Sequence, residues 1–521
     1  VTSKVSVMDD YSELLHQSIM DTKSVLEELA DGELDLYPRI HDGVEMQTIL
    51  NFEMNSRARE IKIFNSQLFT ITDIFEIRVN VGDGGGADEL LLSIGGKAIQ
   101  AQIEPYFIKG KLEKDSRLVL FEATIPPLSM IKVRVQKKNS GGKTVLSKLE
   151  ISKLSDTWKE LEGSFWSLKT TKPSTLSLET QFLETSHDPV TGALQKATKL
   201  GSEQTFSCEQ SWQKYRDAAG GAYLMRLSSE TTDITSNLNG SKSRDHFARL
   251  STNRRTLFSN VLRSKITKWP SDKLRSYTDS VGLQLLRREF YNLPVEKNYY
   301  PMPTAAVIET EKQRLSIVSN VEHGARFMEH GTVEINIDRI LNQDDGKGLG
   351  FGSDSLPTDL HPVDMKFKLV FDQFSDHDIT KNYSTHTLAA QQAVQNVIYP
   401  PIQLISENVN SIPDVDEISE NSDLRFPCDL QLLTVRPISD DRELLILWRH
   451  ATVLTGTSNF ENCGEKELKN SLTNLLVKLG VQQVQQTDLS GTTDFGKVRN
   501  VENLEQIDLE TFDFLTFVLY R

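Results

Sequence analysis

The sequence predicts a mainly β protein, several antiparallel β-sandwich domains entered through one N-terminal bundle-type helix, and three observations carry that reading. One long stretch near the start places apolar residues at helical spacing, nearly all later apolar runs alternate, and those runs fall into groups separated by polar or acidic segments. A chain of 521 residues holds roughly three units at about 100–200 residues each.

The helix comes first. From Val7 to Leu29 the residues Tyr11, Leu14, Leu15, Ile19, Val25, Leu26 and Leu29 keep helical spacing, with Asp9, Asp10 and Glu13 in the first turns where the dipole favours acids. Such a stripe needs partners. No second long helical pattern follows nearby, so its mates are expected upstream of Val1 and the chain reads as truncated at its start. This element closes a first segment, 1–40.

After Tyr37-Pro38 the period becomes two. Ile61–Phe64, Leu68–Ile71, Phe75–Val79, Leu118–Phe121 and Ile131–Val135 read as strands of a first sandwich spanning 41–140, closed by the polar linker Lys137–Lys143. Gly82-Asp83-Gly84-Gly85-Gly86 reads as a flexible hairpin turn and not as a phosphate cradle, because no helix pattern follows it. Strand signals continue through the largest unit, 145–400, with turns at Asp188-Pro189 and Trp269-Pro270 and a strand at Gly331–Ile337. Asp376–Asn396 is polar and low in apolar periodicity. Ser411–Asp423, with Asp414, Asp416, Glu417, Glu420 and Asp423, reads as a solvated acidic loop whose spacing does not follow the calcium-loop rule. A last sandwich is expected over 424–521, with strands at Leu430–Val435, Leu444–Trp448 and Phe512–Leu519.

Composition excludes several functions. A net charge of −15 argues against nucleic acid as a partner, since binding there needs a basic face to displace counterions. No run approaches the roughly 20 apolar residues that span a bilayer, and Val1–Lys4 does not open a signal peptide or membrane anchor. Cys208, Cys428 and Cys463 are too few for a disulfide scaffold and read first as free thiols, with a single bond between Cys428 and Cys463 open because only that pair falls in one unit. Asn239-Gly240-Ser241 and Asn382-Tyr383-Ser384 are glycan acceptors if the chain enters the secretory pathway.

The chain-local chemistry is sparse. Retaining glycoside hydrolysis needs two carboxyls about 5 Å apart. Asp344 and Asp345 are adjacent and point apart on extended backbone, which suits a structural role beside a glycine turn. Glu334 and Asp338 share a strand face but lie about 13 Å from each other. The ten histidines never approach HxH or HExxH spacing, so no metal site is expected within the chain. No Gly-x-Ser-x-Gly elbow is present.

Several motifs in order resemble one family. They are the Asp9-Asp10-Tyr11 helix, Ala123-Thr124-Ile125-Pro126-Pro127-Leu128, Gly220-Gly221-Ala222-Tyr223-Leu224, Tyr277–Gln284 followed by Arg287-Arg288, Asn298–Pro303, and Asp338–Gly350. Together they are similar to the C-terminal half of glycoside hydrolase family 38 α-mannosidases, and within it to the Golgi-type branch. The resemblance implies an upstream catalytic α/β barrel and helical bundle that carry the zinc and the catalytic groups, so no catalytic or metal residue is expected here and zinc is a cofactor of the full-length member only. It implies two substrate contacts, the Tyr223 hydroxyl and the backbone carbonyl of Lys347. A main-chain contact tolerates Lys where the family has Arg. The expected substrate is a mannose-containing N-glycan, the location the Golgi lumen, and a homodimer is left open. The competing readings are a non-catalytic carbohydrate- or partner-binding β-sandwich protein and a lysosomal-type α-mannosidase. Ile340, Gly346 and Lys347 depart from the family pattern, as does the short stretch at Tyr215-Arg216-Asp217.

Overall fold

The computed structural model describes residues 5–30, 50–53, 58–80, 90–108, 111–137, 144–146, 148–151, 168–170, 176–179, 183–189, 193–201, 205–217, 225–234, 239–244, 249–253, 260–266, 274–328, 331–338, 365–374, 384–406, 425–450, 465–504 and 512–521. Period-two patterning makes the chain mainly β, as predicted, with six sheets among the described residues. Helix α1, Val5–Ala30, forms where the spacing places it, and Tyr11, Leu14, Leu15 and Val25 on it remain exposed. The readings of Gly82–Gly86, Trp269-Pro270, Asp344-Asp345, the 411–423 acidic segment, the 138–143 linker residues and the Asn382 acceptor lie outside the described residues.

The first sandwich joins two five-stranded sheets. Ile71–Asn80 buries Phe75, Ile77 and Val79 on one face, and Arg59–Asn65 buries Ile61 and Ile63 against them, with Val119, Phe121, Val133 and Val135 filling the space between. Each such side chain stabilises the fold by about 1.5–3 kcal/mol. The Pro126-Pro127 turn is held by Asn65, whose amide donates to the carbonyls of Ile125 and Pro126 at 3.2 and 2.9 Å. Leu68-Phe69-Thr70, read as strand, is instead a bend. The reason is tertiary: Leu68 leaves the sandwich to join the core of the last unit beside Phe426, Leu472 and Leu476.

The large unit packs a nine-stranded sheet on a five-stranded one. Met302, Phe327, Val333 and Ile335 of the first meet Ile308, Leu315 and Ile317 of the second. The tight Ser280–Gln284 hairpin is built on Gly282, at φ +75°, where an added Cβ would sit 2.7 Å from Val394. Asp279 anchors the same hairpin by accepting from the backbone N–H groups of Gly282, Thr304 and Ala305.

A second helix, α2, Leu388–Ile398, occupies part of the segment read as polar and aperiodic. Thr387 caps it, accepting from the N–H of Ala390. Its periodicity is masked because two of its buried positions are Gln391 and Gln395, which are hydrogen-bonding and not apolar. It touches all three units. Val394 packs on Ala305 and Val318, Asn396 donates to Asp73 of the first sandwich at 2.9 Å, and Gln395 donates to Gln431 of the last unit at 3.3 Å. The chain then returns, and Ile402–Ser406 pairs with Arg59–Asn65 as an outer strand of the first sandwich.

For the last unit the expectation is a sandwich. Among the described residues it is one five-stranded sheet whose second layer is helix α3, Glu465–Lys478. Leu472, Leu475 and Leu476 recur at helical spacing and cover Leu445, Leu447, Val484 and Leu515, the role a second sheet would otherwise play. Cys208 is a buried free thiol, as first read, whereas Cys428 is disulfide-bonded. Cys463, the third cysteine, lies outside the described residues.

Candidate functional site

Tyr223 and Lys347 both lie outside the described residues, so the site is built from the strands that lead to them. Tyr223 falls in the connection between Thr205–Asp217 and Leu227–Asp233, a pair joined at Asp217 and Leu227. Lys347 follows Thr332–Asp338. The strand Asn260–Ile266 lies between the two and is antiparallel to both, with Lys214 opposite Asn260 and Asn260 opposite Asp338. Thr205–Asp217 and Thr332–Asp338 therefore run the same way, and their C-terminal ends leave one end of one sheet. With a single strand between them the two exits stand about 10 Å apart. Residues 124 positions apart in sequence thus depart from neighbouring points.

Beneath those exits lies a buried charge. Glu334, with no exposed surface, accepts from the Tyr215 hydroxyl at 2.8 and 3.1 Å and from the Tyr299 hydroxyl at 2.5 Å. Arg326, opposite Glu334 across the strand pair, adds an ion pair at 3.4 Å, and its guanidinium stacks 5.9 Å from the Tyr299 ring. Burial, then the Glu334 carboxylate, push the Tyr299 phenol far above its ordinary value, so it stays a hydrogen-bond donor at any physiological pH. Gly324 lets the backbone approach, since a Cβ there would stand 3.2 Å from the Tyr299 ring.

This arrangement is an anchor and not an acid/base pair. Both oxygens of Glu334 are engaged by donors, and sealing it from water removes any route for a substrate proton. Its chemical value is positional: one carboxylate ties the strand before Tyr223, the strand before Lys347 and the Tyr299 segment into a rigid unit. Sequence reasoning weighed Glu334 as a catalytic carboxyl and passed over Tyr215, Tyr299 and Arg326. The only local signal was two tyrosines inside stretches singled out for other reasons.

Among the described residues no group of three or more His, Cys, Asp or Glu side chains could hold a metal ion. No step of a reaction is routed through a metal here. His323, on the strand that carries Arg326, bonds to the Asn336 carbonyl and to Ser319 at 2.9 Å each, and burial pushes its pKa down.

Comparison with known proteins shows what the sequence is similar to. No family model matches the sequence. Over 267 residues, 49% of this chain and 23% of the relative, it is 26% identical to α-mannosidase 2 of Mus musculus. It is 34% identical over 130 residues to α-mannosidase 2 of Drosophila melanogaster, covering 24% of this chain and 11% of that one, and 45% identical over 78 residues to the Arabidopsis thaliana protein of the same name, covering 15% and 7%. Among solved structures, an α-mannosidase from Enterococcus faecalis aligns at a TM-score of 0.47 with 11% identity, covering 90% of this chain and 56% of that one. A glycosyl hydrolase family 38 protein from the same species aligns at 0.44, also with 11% identity, covering 89% and 58%. The sequence resemblance to the α-mannosidases thus extends over about half of the chain, and the matched region is about a quarter of the length of the mouse relative.

Proposed function

We propose that this chain corresponds to the β-rich C-terminal portion of a Golgi-type α-mannosidase, an enzyme that removes terminal α-linked mannose from N-glycans by a zinc-dependent retaining route. In this reading the chain contributes scaffold and two substrate contacts, the Tyr223 hydroxyl and the Lys347 backbone carbonyl, while the catalytic groups and zinc belong to an upstream barrel. The observation that carries it is the shared end of the sheet from which the connections bearing Tyr223 and Lys347 depart, locked below by Glu334. A phenol suits a sugar hydroxyl because it both donates and accepts.

A Golgi lumen location accords with the bonded Cys428, since disulfides persist in oxidising compartments. No helix among the described residues is long and apolar enough to cross a membrane.

The test is direct. The purified 521-residue chain is expected to leave an aryl α-mannoside intact with or without added zinc. Fused to a family barrel and bundle, it is expected to support turnover that falls on Tyr223→Phe by about tenfold or more, the order expected when a hydrogen-bonding group on a sugar-site residue is lost. Lys347→Ala should cost far less because the backbone carbonyl stays. Zinc-dependent turnover by the chain alone, or indifference of the fusion to Tyr223→Phe, refutes the reading.

A further inference from the structure

A cavity lies away from the sheet end just described. It is a cleft of about 330 Å³ at the open edge between the two sheets of the large unit, lined by Ser276, Arg288, Ile308, Phe327 and Thr332, with Phe290 and the Glu289 carboxylate, which pairs with Arg287, also on its lining. That volume is at the small end of ligand pockets, roughly 300–1,000 Å³, so it suits a molecule of monosaccharide size and not a long chain.

The strand register determines which charges face inward. Ser276 is paired with both Arg288 and Ile308, so these three side chains share one face, the face that packs toward Phe327 and Thr332. Arg275 and Arg287 border the cleft from the opposite face of the hairpin. Each has its own carboxylate there: Arg275 with Glu309 at 3.2 Å, Arg287 with Glu289 at 3.6 Å. Arg288 has none. Its Nε donates to the Thr278 hydroxyl at 2.8 Å and its guanidinium stacks 4.9 Å from the Tyr300 ring, which uses both its edge and its face while leaving its terminal amino groups for another partner. Tyr300 is itself held by the Glu289 carbonyl at 2.6 Å, so the stacked pair is preorganised.

A half-buried guanidinium loses hydration without recovering it from a counter-ion, and its fork geometry matches a planar or tetrahedral oxyanion bidentately. We propose that this cleft binds a small molecule carrying one oxyanion, a phosphorylated or carboxylated monosaccharide, with Arg288 gripping the anion, the Ser276 and Thr332 hydroxyls beside it, and Phe290 covering the apolar face of the ring. The site is separate from the proposed mannose contacts and stands or falls independently of them.

The experiment is titration calorimetry of the full 521-residue chain at constant ionic strength, using glucose 6-phosphate, glucuronate and inorganic phosphate as probes. At least one of the sugar probes is expected to bind saturably in the millimolar range or tighter, and Arg288→Gln to weaken it by about tenfold or more. Arg288→Lys should recover part of the loss. Arg287→Gln, on the other face, should change affinity by less than about threefold. Phe290→Glu, at an exposed position that does not threaten folding, should weaken both sugar probes by placing a like charge at the mouth. Phosphate binding as tightly as glucose 6-phosphate would reduce the site to an anion hole and refute the sugar. No saturable binding of any probe, or equal affinity in Arg288→Gln, refutes the site.

Discussion

Acidification should loosen the junction around α2 by an amount that two histidines determine. His386 is buried just before that helix, and among the described residues neither of its ring nitrogens has a hydrogen-bond partner. Burial, then the charges of Arg314 and His450, push its pKa down to about 3. His450, on the last unit, is also pushed down to about 3 by burial. Trp448 donates its indole N–H to Nδ1 of His450 at 3.2 Å, and Gln431 takes the Nε2 side at 2.7 Å. That pattern requires the neutral ring, because a second proton on Nδ1 would face the Trp448 N–H.

Both groups have folded pKa values below their ordinary 6.5, so the unfolded chain binds more protons, and the stability they confer is complete above about pH 6.5 and is lost as the pH falls toward 3. Between pH 7.5 and 5.0 each contributes a loss of about 2 kcal/mol, from RT ln(1 + 10^1.5), or about 4 kcal/mol together. The result barely depends on the folded value so long as it stays below about 4. The assay is urea unfolding at both pH values for the wild type and His386→Leu, which fills the same space without a titrating group. The variant should recover about 2 kcal/mol of the acid loss. An equal loss in the two proteins, or an NMR titration of either ring near pH 6, refutes the reasoning.

Other expectations follow from single contacts. Gly282→Ala should destabilise the large unit by about 1–3 kcal/mol, read as a lower unfolding midpoint, because the new methyl meets Val394 at 2.7 Å on a backbone with φ +75°. Glu334→Gln leaves the Arg326 guanidinium buried without its counter-charge and should cost about 3–5 kcal/mol, while Tyr299→Phe removes one hydrogen bond and costs about 1–2 kcal/mol. Denaturant titration separates the two; equal losses would mean that the ion pair adds nothing. Non-reducing peptide mapping should recover Cys428 in a disulfide and Cys208 as a thiol. Burial, then Glu209, hold that thiol up at about 11, so native Cys208 should resist iodoacetamide until urea is added.

The legible parts of the fold were those written in a local period. Phe75, Ile77 and Val79 alternate because one face of their strand is buried, and α1 is visible because its stripe recurs with the helical turn. Helix α2 escaped because its inward positions include Gln391 and Gln395, whose amides pair with the Gly282 carbonyl and with Gln431, contacts that no hydropathy pattern encodes. Helix α3 hid among strand signals, although Leu472, Leu475 and Leu476 carry the helical spacing. Leu68 looked like a strand residue and became a plug for another unit. The candidate site divides the same way: Tyr223 and Lys347 could be nominated from motif resemblance, but nothing local marks Tyr215 as the partner of a carboxylate 119 residues away.

The sequence by itself determined the mainly β class, the helix before it and the resemblance to α-mannosidases, because apolar period and motif order are properties of neighbouring residues. Only the tertiary structure decided that the strands leading to Tyr223 and Lys347 end one strand apart at the same end of one sheet, over Glu334, that α2 joins three units, and that Arg288 faces a cleft with no ion-pair partner among the described residues. Those outcomes depend on strand register and sheet order, where a shift of one residue turns every side chain to the other face. No local pattern carries that information, since it is the packing of distant segments that selects the register.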